Sequence, residues 1–165
     1  MSQTKEDTRA KDQAKAQLES IVQMVKRLEH SQECDGEDCK LTDAEICDGM
    51  NHYYQDGDIV SDEEREEYHN EDDVRQSIEK DPLSVEVRSD WHAPGEDSSA
   101  TEYTILLCTG GPACRIIGEL GQYNEPETAH IEYQDWFTPW EEYRETTDEE
   151  DEALLAYARQ FYFGE

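Results

Sequence analysis

The segment YTILLCTGGPACRIIGEL, from Tyr103 to Leu120, decides the fold. Its two halves, Tyr103 to Cys108 and Ala113 to Leu120, are apolar runs of strand length. The residues between them, Thr109-Gly110-Gly111-Pro112, are typical of a tight connection. The segment therefore predicts two adjacent antiparallel strands at the centre of a sheet.

Further strands are predicted on both sides of this pair. Residues 83–88 alternate apolar and polar side chains, which is the pattern of a half-buried strand. Residues 129–134 alternate in the same way. Because only short loops join the four segments, we expect a four-stranded antiparallel meander with one wet face.

Helices are predicted before and after the sheet. Residues 5–30 carry one apolar stripe of barely two heptads, which packs on its own domain or mediates a homodimer through this N-terminal helix. Capping boxes at Thr42 and Ser61 open two short helices, the second of which runs until Pro82. A last helix, residues 147–162, has a wide apolar face and should cover the sheet. We thus expect an α+β protein with a helical, acidic N-terminal region, 1–81, and a sheet domain, 82–165.

The net charge is extreme. Asp and Glu number 43 against 14 Lys and Arg, giving −29. Residues 1–30, 31–82 and 83–165 carry +1, −15 and −15, so the charge belongs to the folded body as well as to any tail. Solubility alone needs a net charge of only about 2–8 in magnitude.

Two dense sets of carboxylates are the candidate partner-binding residues. The first acidic group comprises Asp62, Glu63, Glu64, Glu66, Glu67, Glu71, Asp72 and Asp73. The second acidic group comprises Glu141, Glu142, Glu145, Asp148, Glu149, Asp151 and Glu152. Duplex DNA carries about one charge per 1.7 Å of axis, so a surface tiled with carboxylates is suited to a basic DNA-binding groove. The alternative is a solvated surface that serves solubility only.

The cysteines offer a candidate metal site. Cys34, Cys39, Cys47 and His52 are all possible ligands of a tetrahedral zinc ion. Cys47 also fits the buried face of a short helix, where a small apolar residue is ordinary. Cys108 and Cys114 flank the Gly110-Gly111 turn and can approach across a hairpin, although buried thiols in strands are the simpler interpretation. The total of five cysteines is odd, so reduced thiols are expected.

Other function classes find little in the sequence. The histidines are scattered, and no nucleophile stands in a recognisable catalytic motif, so we expect no enzymatic activity. Residues 31–165 hold only eight Lys and Arg, which disfavours direct nucleic-acid binding. There is no apolar run of membrane-spanning length and no signal-peptide pattern, so we expect a cytoplasmic protein.

The second half of the chain resembles a known family. Its segments PLSVEVRSDWH, ILLCTGGPACRIIGEL, EYQDWFTPW and ALLAYARQFYFGE are similar to those of a family of small acidic bacteriophage and prophage proteins. The resemblance implies a phage origin and favours a partner in a host DNA-processing or defence complex, as for an anti-restriction or anti-CRISPR-like inhibitor. The alternative is a non-enzymatic phage accessory or structural protein that assembles with phage partners.

Overall fold

The computed structural model describes residues 5–34, 36, 37, 39–49, 55, 59–97, 99–136 and 138–164. Four helices precede the sheet in the described ranges: α1 Lys5–Glu33, α2 Asp43–Gly49, α3 Asp62–His69 and α4 Glu71–Lys80. The strands follow as β1 Ser84–Arg88, β2 Glu102–Cys108, β3 Ala113–Glu119, β4 His130–Gln134 and β5 Glu141–Glu142. A short 3₁₀ helix at Gln122–Asn124 separates β3 from β4, and α5 Asp148–Ala158 comes last. No helix within these ranges is long and apolar enough to cross a membrane.

The sheet is an antiparallel meander with strand order β1-β2-β3-β4-β5. The predicted α+β class and the antiparallel sheet are therefore confirmed, but the predicted number of four strands is too low. The additional strand, β5, consists of two exposed glutamates paired with Glu132 and Tyr133 of β4. Two residues without an apolar side chain cannot show the alternation that identifies a strand in sequence.

One hydrophobic core joins the N-terminal helix to the sheet. Leu18 and Ile21 of α1 are fully buried in the same cluster as Ile105 and Ile116 of the central strands and Leu154 of α5. Helix α1 lies against β3 and β4, and α5 packs on α1 and β4. The apolar stripe of α1 is thus covered within its own chain, and the expected boundary at residues 81 and 82 falls between two elements of this packing, α4 and β1.

The acidic helix predicted after Ser61 is two helices that meet at Asn70. The Asn70 side chain accepts a hydrogen bond from the backbone N–H of Asp73, 3.1 Å away, and so caps α4. The predicted capping box at Ser61 is present at the start of α3. Asn70 follows α3 and is the N-cap of α4. Its side-chain oxygen accepts a hydrogen bond from an N–H of the first turn of α4, where no backbone acceptor is available.

A second, much smaller core stabilises α2 and α3. Its buried residues are Ile46, Val60 and Tyr68, with Leu41 and Cys47 partly buried against them. Within the described residues this core has three buried apolar side chains, and small cores are commonly strengthened by additional links.

Candidate metal centre and acidic surface

Four possible metal ligands, His30, Cys34, Cys39 and His69, place their donor atoms within 4.8 Å of one another. The two histidine Nε2 atoms are 3.1 Å apart. The Cys39 sulfur lies 3.4 Å from the His30 Nε2 and 3.2 Å from the His69 Nε2. A tetrahedral ion with bonds of about 2.0–2.1 Å to nitrogen and 2.3 Å to sulfur separates such donors by roughly 3.3–3.6 Å. The cluster can therefore hold a metal ion with little movement of the side chains.

Three separate segments bring these ligands together. His30 and Cys34 are one turn apart at the end of α1, where the Cys34 N–H donates to the His30 carbonyl oxygen at 2.8 Å. Residues four apart on a helix lie on the same face, so both donors point in one direction. Cys39 follows in the connection to α2, and His69 is the last residue of α3. A bound ion would thus join α1 to the segment that carries α2 and α3.

The orientation of His69 suits a metal ligand. Its Nδ1 lies 2.7 Å from the carbonyl oxygen of Arg65, one turn earlier in α3, so the Nδ1–H donates to the backbone. This hydrogen bond leaves the Nε2 lone pair directed into the cluster, and metal-bound histidines are commonly held in this way. Gly36 lies directly over the ring, because a Cβ atom there would be 3.3 Å from the His69 Cγ, and its φ of +97° suits glycine.

The surroundings of the cluster favour the neutral form of His30 and hold α3 in place. Burial lowers the pKa of His30, and the neighbouring His69 lowers it further, against a smaller opposing effect of Glu33. Neutral imidazole is the form that binds a metal. Arg27, 5 % exposed, donates to the carbonyl oxygens of Glu67 at 2.8 Å and Tyr68 at 3.2 Å, where α3 ends.

The structure unites only part of the predicted ligand set. Cys34 and Cys39 belong to the cluster, whereas Cys47 packs against the second core. His52 lies outside the described residues. The two histidines of the cluster, His30 and His69, were not predicted. The spacing of His30 and Cys34 on one helix face could have indicated the first; the second is 30 positions from Cys39 and has no local signal.

The first acidic group lies on α3 and the start of α4. Five of its eight residues are exposed: Asp62, Glu63, Glu66, Glu67 and Asp72. The others are half-buried: Glu64, Glu71 and Asp73. Glu64 completes the capping box with Ser61, and Glu71 forms an ion pair with Arg75 at 2.6 Å. The exposed carboxylates are thus held on helices, close to the end of α3 where His69 enters the cluster.

All residues of the second acidic group are exposed. They lie on β5, at the start of α5 and in the connection between them. Two contact lysines of α1: Glu145 is 2.7 Å from Lys11, and Glu149 is 3.5 Å from Lys26. Exposed pairs of this kind contribute little stability. The two lysines offset only part of the group's negative charge, so an excess remains.

One residue of each acidic group contacts the C-terminal half of α1. Gln32 of α1 donates to Glu71 of the first group at 3.2 Å, and Lys26 contacts Glu149 of the second at 3.5 Å. Lys26 and Gln32 are six positions apart, which is about 9 Å along a helix. The two contacts thus lie less than two turns apart along α1, on different sides of the helix.

The comparisons with known proteins leave the family open. No family model matches the chain, and neither does a curated protein or a solved structure. The resemblance to small acidic phage proteins therefore stays a prediction, and a functional hypothesis has to rest on the geometry and charge of this chain.

Proposed function

We propose that this protein is a non-enzymatic binding protein in which a structural zinc ion fixes an acidic helical surface for a basic partner protein. The observation that carries the proposal is the set of four converging donor atoms, all within 4.8 Å, on His30, Cys34, Cys39 and His69. One of these ligands ends the helix that carries most of the first acidic group. A bound ion would therefore help to hold the acidic surface in position.

The donor set favours zinc. Two thiolates and two imidazoles in tetrahedral arrangement are the usual ligands of structural zinc, and the softness of sulfur disfavours magnesium and calcium. Four protein ligands leave no open position for a substrate or a water molecule, so the site is suited to a structural role rather than to catalysis. Two thiolates also neutralise the dication, so the ion leaves the acidic character of the surface unchanged.

A bound ion would add to the contacts of the second core that hold α2 and α3 in place. Among the described residues of this part of the chain, Ile46, Val60 and Tyr68 form the buried apolar core, and the Arg65–Asp43 ion pair joins α3 to α2. A metal ion that binds only the folded arrangement stabilises it by its binding free energy. We therefore expect loss of zinc to release α2 and α3 while the main core stays folded.

Zinc content tests this part of the proposal. Protein purified without chelator should contain one equivalent of zinc, measured by inductively coupled plasma mass spectrometry. Cobalt substitution should give the intense visible absorption of a tetrahedral thiolate site. In hydrogen exchange, a chelator should increase exchange in α3 and leave β2 and β3 protected.

Matched variants distinguish the cluster from the ligands predicted from spacing. Cys39→Ser and His69→Ala should lose the metal, whereas Cys47→Ser and the exposed His92→Ala should retain it. Absence of bound zinc from the purified protein, or retention of zinc by Cys39→Ser, would contradict the assignment.

The partner surface follows from charge. The exposed carboxylates of the first acidic group are spaced along α3 and α4, where side chains three or four residues apart are about 5–6 Å from each other. A basic groove that binds nucleic acid is complementary to such an array, and complementary charge gives fast, salt-sensitive association. The class of partner we propose is a nucleic-acid-binding enzyme or defence complex of a bacterial host, a choice that rests on the phage resemblance.

Capture and competition test the partner. The immobilised protein should retain a DNA-binding protein from a bacterial lysate at low salt, release it as salt rises, and compete with duplex DNA for the purified partner. A triple change of Glu63, Glu66 and Glu67 to Gln should weaken binding strongly. The same change at Glu119, Glu125 and Glu127, which are exposed elsewhere, is the matched control because it removes equal charge.

Two results would contradict partner binding by charge mimicry. One is equal weakening by the two triple variants, which would indicate a non-specific effect of net charge. The other is capture of phage assembly proteins only, without competition by DNA, which would favour the accessory role.

A further inference from the structure

Two cysteines outside the metal cluster face each other across the central strands. Cys108 is the last residue of β2, and it is directly paired with Cys114 of β3. The two side chains interact, and each shifts the pKa of the other. Directly opposed residues of antiparallel strands have Cα atoms about 4.5–5.5 Å apart, which lies within the range of about 4.4–6.8 Å found for disulfides. The pairing, which follows a register shift between Leu106 and Cys108, thus places the two cysteines as neighbours that a disulfide can join.

The two thiols differ in a way that suits sequential reaction. Cys108 is half-buried and Cys114 is fully buried. The interaction with Cys114 lowers the pKa of Cys108 to about 7, against the opposing effect of burial and with a further contribution from Gln13. The same contact and burial raise the pKa of Cys114. Near neutral pH, Cys108 is thus partly a thiolate that an oxidant can reach, and Cys114 is a protonated neighbour able to resolve the product.

We propose that Cys108 and Cys114 form a peroxide-sensitive disulfide, a modification site separate from the metal cluster. The Cys108 thiolate attacks one oxygen of hydrogen peroxide; an S–O bond forms, the O–O bond breaks, and hydroxide leaves. The product is a sulfenic acid at Cys108. Cys114 gives its proton to the hydroxide, forming water, and its sulfur attacks the Cys108 sulfur. The S–S bond forms as the S–O bond breaks, and the departing hydroxide takes the proton that Cys108 had released at its ionisation, giving the second water. Overall, two thiols are oxidised and one peroxide is reduced to two waters.

The surrounding turn gives the disulfide a structural consequence. Residues 109–112 connect the two cysteines, and Gly110 and Gly111 adopt φ values of +106° and +133°. The indole of Trp136 lies against Gly111, since a Cβ atom there would be 2.9 Å from its Nε1. Formation of the disulfide would fix both ends of this turn. It would thereby also restrict Gly111, against which the exposed Trp136 lies.

The site is independent of the metal cluster. Gln13, which contacts Cys108, is seventeen positions from His30 on the same helix, about 25 Å at 1.5 Å per residue. Oxidation of the two sites is thus distinguishable by peptide mapping.

Peptide mapping after peroxide treatment of the full-length, metal-loaded protein tests the proposal. The expected product is a Cys108–Cys114 cross-linked peptide, reversed by a thiol reductant. Cys114→Ser should leave a sulfenic acid at Cys108 that dimedone traps. In the unchanged protein, the rate of Cys108 modification should rise with pH around a midpoint of about 7. Cys47→Ser is the matched control and should form the link unchanged.

Three results would overturn it. They are the absence of the cross-linked peptide after complete reaction with peroxide, pairing of Cys108 with a different cysteine, and a rate for Cys108 that does not change with pH. Cys108→Ser alters the half-buried partner only, so it keeps the test valid if Cys114→Ser does not fold: peroxide should then leave Cys114 reduced.

Discussion

The hydrogen bond between Tyr157 and Asp81 should make a measurable contribution to stability. The Tyr157 hydroxyl, on a side chain with no exposed surface in α5, donates to the Asp81 carboxylate at the end of α4 at 2.6 Å. A hydrogen bond to a charged group contributes about 1.5–3 kcal/mol, and water reaches the exposed Asp81 once the partner is gone, so we expect Tyr157→Phe to cost about 1–2 kcal/mol. Phenylalanine keeps the packing of the ring against Phe161. For a chain of this size the melting temperature should fall by about 2–4 °C per kcal/mol.

Thermal and urea denaturation followed by circular dichroism measure the effect. Tyr162→Phe is the matched control, because this tyrosine is 77 % exposed, and it should change stability by less than about 0.5 kcal/mol. A double-mutant cycle with Asp81→Asn isolates the interaction between the two side chains. If Tyr157→Phe behaves like the control, or if the two changes are additive, the hydrogen bond does not contribute as described.

Three further predictions concern the core. Leu18→Ala should cost about 2–5 kcal/mol of stability and lower the temperature of the single unfolding transition of helix and sheet. Ile59→Ala, at an 86 % exposed position, should change stability little. Separate transitions for helix and sheet would argue against a shared core. Gly118→Ala should prevent normal folding, since its Cβ would clash with the Thr128 carbonyl oxygen, and a wild-type melting curve would refute that close approach. Burial raises the pKa of Tyr103 above the unfolded value of about 10, so its contribution is complete below pH 10 and declines as pH rises beyond it; ultraviolet titration should show this tyrosine ionising only with unfolding.

Much of the fold was predictable because its signals are local. The capping boxes at Ser61 and Thr147 depend on residues three positions apart, and both are present. The strand pair around Gly110-Gly111 follows from two apolar runs and a turn. β5 has no such signal, because its pairing depends on where β4 lies in the folded sheet.

The candidate metal ligands show which contacts local sequence patterns do not predict. Cys34 and Cys39 are close in sequence, so their spacing indicated a shared site. His69 reaches the cluster only because Arg27 and the second core position the end of α3, and neither effect is written in the sequence near His69. Cys47 has equally suggestive spacing, but it is partly buried against the second core.

The packing of α1 against both the sheet and α5 has a consequence for synthesis on the ribosome. Lys11 and its partner Glu145 are 134 positions apart, so α1 emerges long before the last element that covers it. At roughly 5–20 residues per second, the nascent chain displays its amphipathic stripe for roughly 7–27 s. A chaperone that recognises such a stripe has this interval to bind, and loses its target when α5 docks.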